Sequence, residues 1–326
     1  MKVISLIPFV IGLIGFENCL KESPDNWKHG PEYSFRVGVN SSFQFNETDK
    51  FMYSNVTIIL KCRPFVSGSE NRTNGLQCYV KESQLQNFDV DKSSNPSAII
   101  EADPKSDLEI GAFKFELLYD KRGLKEIKID PALTGWRLNI IRLIASHLNF
   151  GFDKFEKGGE RFAVVKDVGT ENSTLGECET NFEVSKQIKA KGKQWSSKCG
   201  DKIYLEMYAY GNKNPMIAMD KTRNMEKCSK ITPYFLGVDD IKKNESVFNI
   251  KMTSSVTSFF MAPHSFQSSS QQQATIILPL NETKLGTTNE NICLYLENIE
   301  PASEEFKRIP TPSTTTMFSN DEVHKS

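Results

Sequence analysis

The side chains that could do chemistry are few and poorly grouped. Four histidines, His29, His147, His264 and His324, are scattered through 326 residues. None forms an HExxH pair or any other close metal-ligand spacing. A GxSxG nucleophile elbow, a P-loop and a GxGxxG turn are all missing from the sequence, and Lys157-Gly158-Gly159 lacks the spacing of a phosphate cradle. Acidic residues are plentiful, yet nothing singles out a pair for acid–base work. The expectation is therefore a non-enzymatic chain with no catalytic, cofactor or metal site.

Two groups of reactive or charged residues remain. Beyond the first twenty positions stand six cysteines, Cys62, Cys78, Cys178, Cys199, Cys228 and Cys293, with no CxxC pair among them. An even count reads as disulfides in an oxidising compartment, and six cysteines permit fifteen pairings. The second group is the basic run MDKTRNMEKCSK, from Met219 to Lys230. Lys221, Arg223 and Lys227 are separated by even numbers of positions, which puts them on one face of an extended strand. That run reads as a solvated strand, a disulfide anchor or a surface that another protein recognises.

The compartment follows from the N-terminus and the sequons. A lysine precedes an apolar run from Val3 to Phe16. The run is too short for the ~20 residues of a membrane-spanning helix, and it has the form of a secretory signal. Residues 1–19 are expected to be that signal, with cleavage between Gly15 and Leu20, and the mature chain is expected to be secreted and not membrane-spanning. Seven Asn-x-Ser/Thr sequons, at Asn40, Asn46, Asn55, Asn71, Asn172, Asn244 and Asn281, predict a glycosylated surface. Forty basic and 41 acidic residues give a net charge of −1. That balance supplies no global attraction to nucleic acid, so recognition must be local.

Most of the periodic segments have the period of strands. Tyr33, Phe35, Val37 and Val39 alternate with Ser34, Arg36 and Gly38, and Phe113, Phe115, Leu117 and Tyr119 alternate mainly with polar residues. Asp120-Lys121-Arg122-Gly123 then supplies turn chemistry before Ile127 and Ile129 resume the alternation, which predicts a hairpin. Further strands are expected near 162–168, 180–184, 203–210, 216–222, 247–252, 256–261 and 275–280. So many short strands point to an antiparallel barrel or sandwich. One segment differs: from Thr134 to Leu148 apolar residues surround most of a helical cylinder, predicting a buried helix in which His147 is a core residue. Residues 86–109, with DVDKSSNPS and EADPKSD, read as a long loop. The Pro/Ser/Thr-rich stretch 287–326 reads as a disordered tail.

The order of motifs resembles a known family. FKFELLYDKRGLKEIKID is followed by WRLNIIRLIASHL, then GECETNFEV at Gly176 to Val184, then DKTRNMEKC at Asp220 to Cys228. This succession is similar to the N-terminal domain of the large lipid transfer proteins, the family of vitellogenins, apolipoprotein B, apolipophorins and the microsomal triglyceride transfer protein. Met225 stands where the family's last motif has leucine. Vitellogenin-type members fit best, because no C-terminal retention signal is present. The resemblance implies a mainly β fold, a large antiparallel barrel closed around one central helix over residues 20–286. It implies disulfides Cys178–Cys228 and Cys62–Cys78, leaving Cys199 and Cys293 to pair with each other, remain free or join another chain. The interval from Cys178 to Cys228 exceeds the family's and contains KQWSSKCGDKIYLEMYAYGN, for which an extra hairpin is expected.

Function follows from the same resemblance. It implies a secreted lipid-transport module with lipid as partner or cargo, and with receptor recognition through the DKTRNMEKC strand. Receptors of the low-density-lipoprotein type hold lysine in acidic pockets, which nominates Lys221, Arg223 and Lys227. The family's barrel is followed by a helical domain and two sheets that enclose lipid. This sequence ends 40 residues after position 286, so it is expected to be truncated and not to carry bulk lipid alone. The alternative is a stand-alone secreted glycoprotein binding module that has lost lipid carriage.

Overall fold

Two-residue alternation organises the fold, because each strand presents one face to a shared interior. The computed structural model describes residues 28–46, 50–66, 73–91, 99–102, 105–111, 113–120, 123–133, 135–150, 164–187, 216–229, 249–262, 265–278, 282–317 and 324–325. In chain order the elements are β1 (Pro31–Phe45), β2 (Lys50–Val66), β3 (Thr73–Asp91), β4 (Ile99–Ala102), β5 (Lys114–Asp120), β6 (Gly123–Ile129), α1 (Gly135–His147), β7 (Val164–Ser173), β8 (Gly176–Gln187), β9 (Met216–Ser229), β10 (Asn249–Ala262), β11 (Ser265–Ile277), β12 (Lys284–Pro301), β13 (Ser313–Thr315) and β14 (His324–Lys325). In β1 the residues Tyr33, Phe35, Val37 and Val39 are all buried, whereas Arg36 and Asn40 are exposed. The β5–β6 hairpin forms as expected, with Asp120 paired to Gly123. Gly123 takes φ 115°, a conformation that glycine adopts without a Cβ penalty.

The strands make one antiparallel sheet in the order β14-β13-β6-β5-β3-β2-β1-β12-β11-β10-β9-β8-β7, with β4 added to β3. Among the described residues this hydrogen-bonded path is open between its two ends. The sheet nevertheless wraps α1: one core cluster joins Leu138, Ile141 and Ile144 of the helix to Phe115 of β5, Val184 of β8, Phe259 of β10 and Leu294 of β12. The middle of α1 is held from one end of the sheet, where Arg142 donates to Thr315 Oγ1 at 2.7 Å and to the Thr316 carbonyl at 3.1 Å. Its C-terminal end is held from β11, whose Ser268 and Ser270 hydroxyls lie 2.9 and 3.0 Å from the two ring nitrogens of His147. His147 is thus a satisfied core histidine. Burial, reinforced by Arg223 and Lys221, pushes its pKa down to about 3.

Several expected boundaries are corrected. The stretch 86–109 is not one long loop, since β3 continues to Asp91 and β4 follows at Ile99–Ala102. The two strands expected at 247–252 and 256–261 are one strand, β10, with a register shift between Met252 and Ser254. That irregularity changes the phase of the alternation and gives the sequence the look of two elements. The strand expected at 203–210 and the Thr134 position lie outside the described residues.

The largest correction concerns residues 287–326. They are not a disordered tail from Thr287 onward: β12 runs to Pro301 between β1 and β11, and the chain then crosses the outer face of β2, β3 and β5. Arg63 donates to the Glu304 carbonyl at 2.9 Å, Phe306 packs on Phe65 with ring centroids 5.4 Å apart, and Arg308 lies over Phe65 at 4.2 Å. Arg308 also grips the buried Glu116 through two hydrogen bonds of 2.8 and 2.7 Å. The chain then adds β13 to β6. Proline, serine and threonine suit this strap because its order comes from side-chain anchors on the sheet beneath.

The Glu116 grip predicts an acid-labile strap. Burial alone would raise this carboxyl, but Arg308, Gln77 and the Ile309 amide outweigh it and hold its pKa below the ordinary glutamate value. A depressed carboxyl contributes stability that is whole above the unfolded-state pKa and is lost as pH falls through the folded-state value. Arg308→Ala should cost about 1.5–3 kcal/mol at neutral pH and flatten the acid limb of a urea-melt series. Equal acid sensitivity in variant and wild type would count against the grip.

Candidate functional site

The nominated basic strand, β9, lies between β8 and β10, with Lys221 opposite Phe182 on one side and Thr257 on the other. Alternation turns Ile217, Met219, Lys221 and Arg223 to the interior, so Lys221 is 1% exposed and Arg223 9% exposed. The even spacing does put these two on one face, but it is the inward face. Lys221 Nζ donates to the Asn149 carbonyl at 3.0 Å, just past the C-terminal end of α1, and ion-pairs with Glu171 of β7. Its ammonium also lies 5.0 Å from the Phe259 ring centroid and 5.8 Å from that of Phe182. Arg223 donates to Ser255 at 3.1 Å, to Thr257 at 3.0 Å and to the second Glu171 oxygen at 3.2 Å.

Glu171 therefore holds two buried cations at once. Burial pushes the Lys221 ammonium pKa down, Glu171 opposes that shift, and Arg223 adds to it. What the cluster does chemically is clear from its partners: it supplies a donor to the carbonyl end of α1 and ties β7, β9 and β10 to that helix. The proposed exposed triad is corrected accordingly. Lys221 and Arg223 are internal, and of the three only Lys227 faces solvent, paired with Glu179 at 2.9 Å. A register shift between Cys178 and Thr180 breaks the pairing of β8 with β9 before Lys227, so the face inferred from even spacing does not carry through. Sequence reasoning missed Glu171 and the Ser/Thr partners, whose only signal is polar residues at the inward positions of strands, and Asn149, which lies just past α1 and has no such signal.

The cysteine and asparagine positions are placed as follows. Disulfides join Cys62 to Cys78 and Cys178 to Cys228, each between residues directly opposed across a strand pair. Cys293 is disulfide-bonded with its partner outside the described residues, where Cys199 also lies. Asn40, Asn46, Asn55 and Asn172 are exposed, and Asn40 faces Asn55 across β1 and β2. Asn71, Asn244, Asn281 and the expected signal at 1–19 lie outside the described residues. Among the described residues no group of three histidine, cysteine or carboxylate side chains could hold a metal, and no helix is long and apolar enough to cross a membrane.

Comparison with curated proteins by sequence finds no match. A solved structure concerned with lipid–protein interactions in lipovitellin superposes on 86% of this chain with a TM-score of 0.50 and 13% identity. This chain corresponds to 26% of that lipovitellin chain, about a quarter of its length. The translocator domain of the autotransporter NalP from Neisseria meningitidis matches over 91% of this chain and 100% of its own, with 7% identity and a TM-score of 0.21, a level that carries no inference. The family model of the vitellogenin N-terminal domain matches residues 27–304, a span that takes in β1 through β12 and the buried Lys221, Arg223 and Glu171. Fold, motif order and that match agree, and the chain belongs to the vitellogenin N-terminal domain family.

Proposed function

We propose that this chain is the N-terminal module of a secreted, N-glycosylated lipid-transport protein, non-enzymatic and free of cofactors, whose sheet closes into a barrel around α1. The observation that carries the reading is the family match over residues 27–304 on a sheet whose interior is filled by a buried helix. A filled interior suits a module that shapes a lipid particle or contacts its surface, with bulk lipid held elsewhere in the protein. The four exposed sequon asparagines support passage through the secretory pathway.

Receptor recognition belongs to this reading in a reduced form. A low-density-lipoprotein-type receptor would meet Lys227, whose side chain is 62% exposed, and not Lys221 or Arg223. The filled interior also favours a second reading, a secreted glycoprotein binding module without lipid carriage.

Expression of the full chain in secretory eukaryotic cells separates the two readings. Under the first, the medium contains endoglycosidase-sensitive protein that floats with a phospholipid–triacylglycerol emulsion. Protein that is secreted and glycosylated but stays in the dense fraction selects the second reading. Retention of an unglycosylated chain inside the cell would defeat both.

A further inference from the structure

On the outer face of β2, apolar and glycan-accepting residues stand side by side. The inward positions of this strand include Val56, Ile58 and Leu60, all fully buried, so alternation turns Phe51, Tyr53, Asn55 and Thr57 outward. No register shift interrupts β2 from Phe51 to Ile59 against either neighbouring strand. On β3, Phe88 lies opposite Tyr53 and Val90 opposite Phe51. Phe51, Tyr53, Phe88 and Val90 therefore form a two-by-two apolar array on the outside of the sheet, and each is partly exposed. The rings of Phe51 and Tyr53 are nearly parallel, 18° apart, with centroids separated by 6.2 Å.

Asn55-Val56-Thr57 is a sequon, and Asn55 is exposed two residues from Tyr53 on the same face. That separation is about 6–7 Å along a strand, which a sugar attached to Asn55 Nδ2 spans. A pyranose presents axial C–H bonds on one side, and their partial positive charge suits the negative face of an aromatic ring. Phe51, stacked beyond Tyr53, continues that face in the direction in which a second sugar follows the first. Asn40 heads another sequon directly across from Asn55, so two glycans would start at neighbouring points. They can part, because Gly38, two residues from Asn40 on the outer face and opposite Thr57, leaves open space on the side away from the aromatic array.

We propose that an N-glycan on Asn55 lies back along β2 with its first sugars stacked on Tyr53 and Phe51. The sugar is attached by transfer from a lipid-diphosphate donor. The bond from its C1 to the phosphate oxygen breaks, a bond from C1 to Asn55 Nδ2 forms, the nitrogen gives up one proton and the lipid diphosphate leaves. Once in place the glycan covers an apolar array that would otherwise be open to association with other apolar surfaces. The inference rests on the N-glycosylation put forward above, and adds which sequon serves the fold and what its sugar touches.

A double-mutant cycle on the full chain, made in secretory eukaryotic cells, tests the contact. Asn55→Gln removes the glycan, and Tyr53→Thr removes the ring while keeping a strand-forming residue. Asn55→Gln should lower the melting temperature by about 2 °C in the wild-type background and leave it unchanged in the Tyr53→Thr background. Equal effects in the two backgrounds, zero included, overturn the stacking. NMR of the wild-type chain carrying carbon-13-labelled sugars does not depend on how the Tyr53 variant folds. Ring currents should shift core-sugar C–H signals upfield, and those signals should vanish in Asn55→Gln; their absence from wild type overturns the proposal. Glycopeptide mass spectrometry separates this failure from that of the underlying reading. Sugar at other sequons with Asn55 bare overturns the proposal alone, whereas a chain bare at every sequon defeats the N-glycosylation as well.

Discussion

Lys221→Ala should destabilise the protein by about 3–5 kcal/mol, because it breaks a buried ion pair from one side and leaves the other charge uncompensated. Glu171 would keep only Arg223, and the Asn149 carbonyl would lose its donor at the end of α1. Lys227→Ala, on a side chain 62% exposed, should change stability by no more than about 1 kcal/mol. Urea denaturation of the two variants makes the comparison. Equal midpoints would show that Lys221 is solvated and that the inward assignment of β9 is wrong. The contrast also bears on receptor pull-downs, since loss of binding in a triple alanine variant would report unfolding before it reported an epitope.

The same cluster predicts a dependence on pH. His147 has its folded-state pKa depressed to about 3 by burial and by Arg223 and Lys221. Its neutral form therefore contributes stability that is whole above the unfolded value of 6.5 and is lost as pH falls from there toward about 3. The grip of Arg308 on Glu116 acts at the lower end of that window, so stability between pH 6.5 and 5 reports His147 mainly. A flat profile in this interval would mean that His147 is not enclosed by Ser268 and Ser270 as described.

Removal of the Cys178–Cys228 disulfide, by changing both residues to alanine, should cost about 4 kcal/mol on the chain-entropy account. The bridge spans a sequence separation of 50, against 16 for Cys62–Cys78, for which about 3 kcal/mol is expected. The longer closure also stands beside the register shift in the β8–β9 pairing, where the ladder itself holds least. Thermal melts of the two double variants should rank Cys178/Cys228 below Cys62/Cys78. The reverse order would locate the greater constraint in the β2–β3 pairing.

The elements legible from the sequence were those whose buried face is apolar. β1, the β5–β6 hairpin and α1 announce themselves because Tyr33, Phe35, Val37, Phe115, Leu117 and Ile141 recur at the period of the backbone they occupy. β11 does not, since its inward residues include Ser268, Ser270 and Gln272, and SFQSSSQQQ has no hydrophobic alternation to read. β12 reads as part of a tail in the sequence for a related reason: Thr288 and Glu290 occupy buried positions where apolar residues would mark a strand. Polar residues in these strands are satisfied by groups distant in sequence, such as His147 for Ser268, and no local pattern contains that information.

By itself, then, the sequence determined that the chain is mainly β with one buried helix, and its motif order pointed to the family and to two of its disulfides. It also determined that Lys221 and Arg223 share a face, because a strand has period two whatever surrounds it. Which face that is was decided only in the tertiary structure. A lysine and an arginine go inward when a helix end offers a carbonyl and another strand offers a carboxylate, and here Asn149 and Glu171 do so. Those partners lie 72 and 50 residues away from Lys221 along the chain, and only folding brings them together.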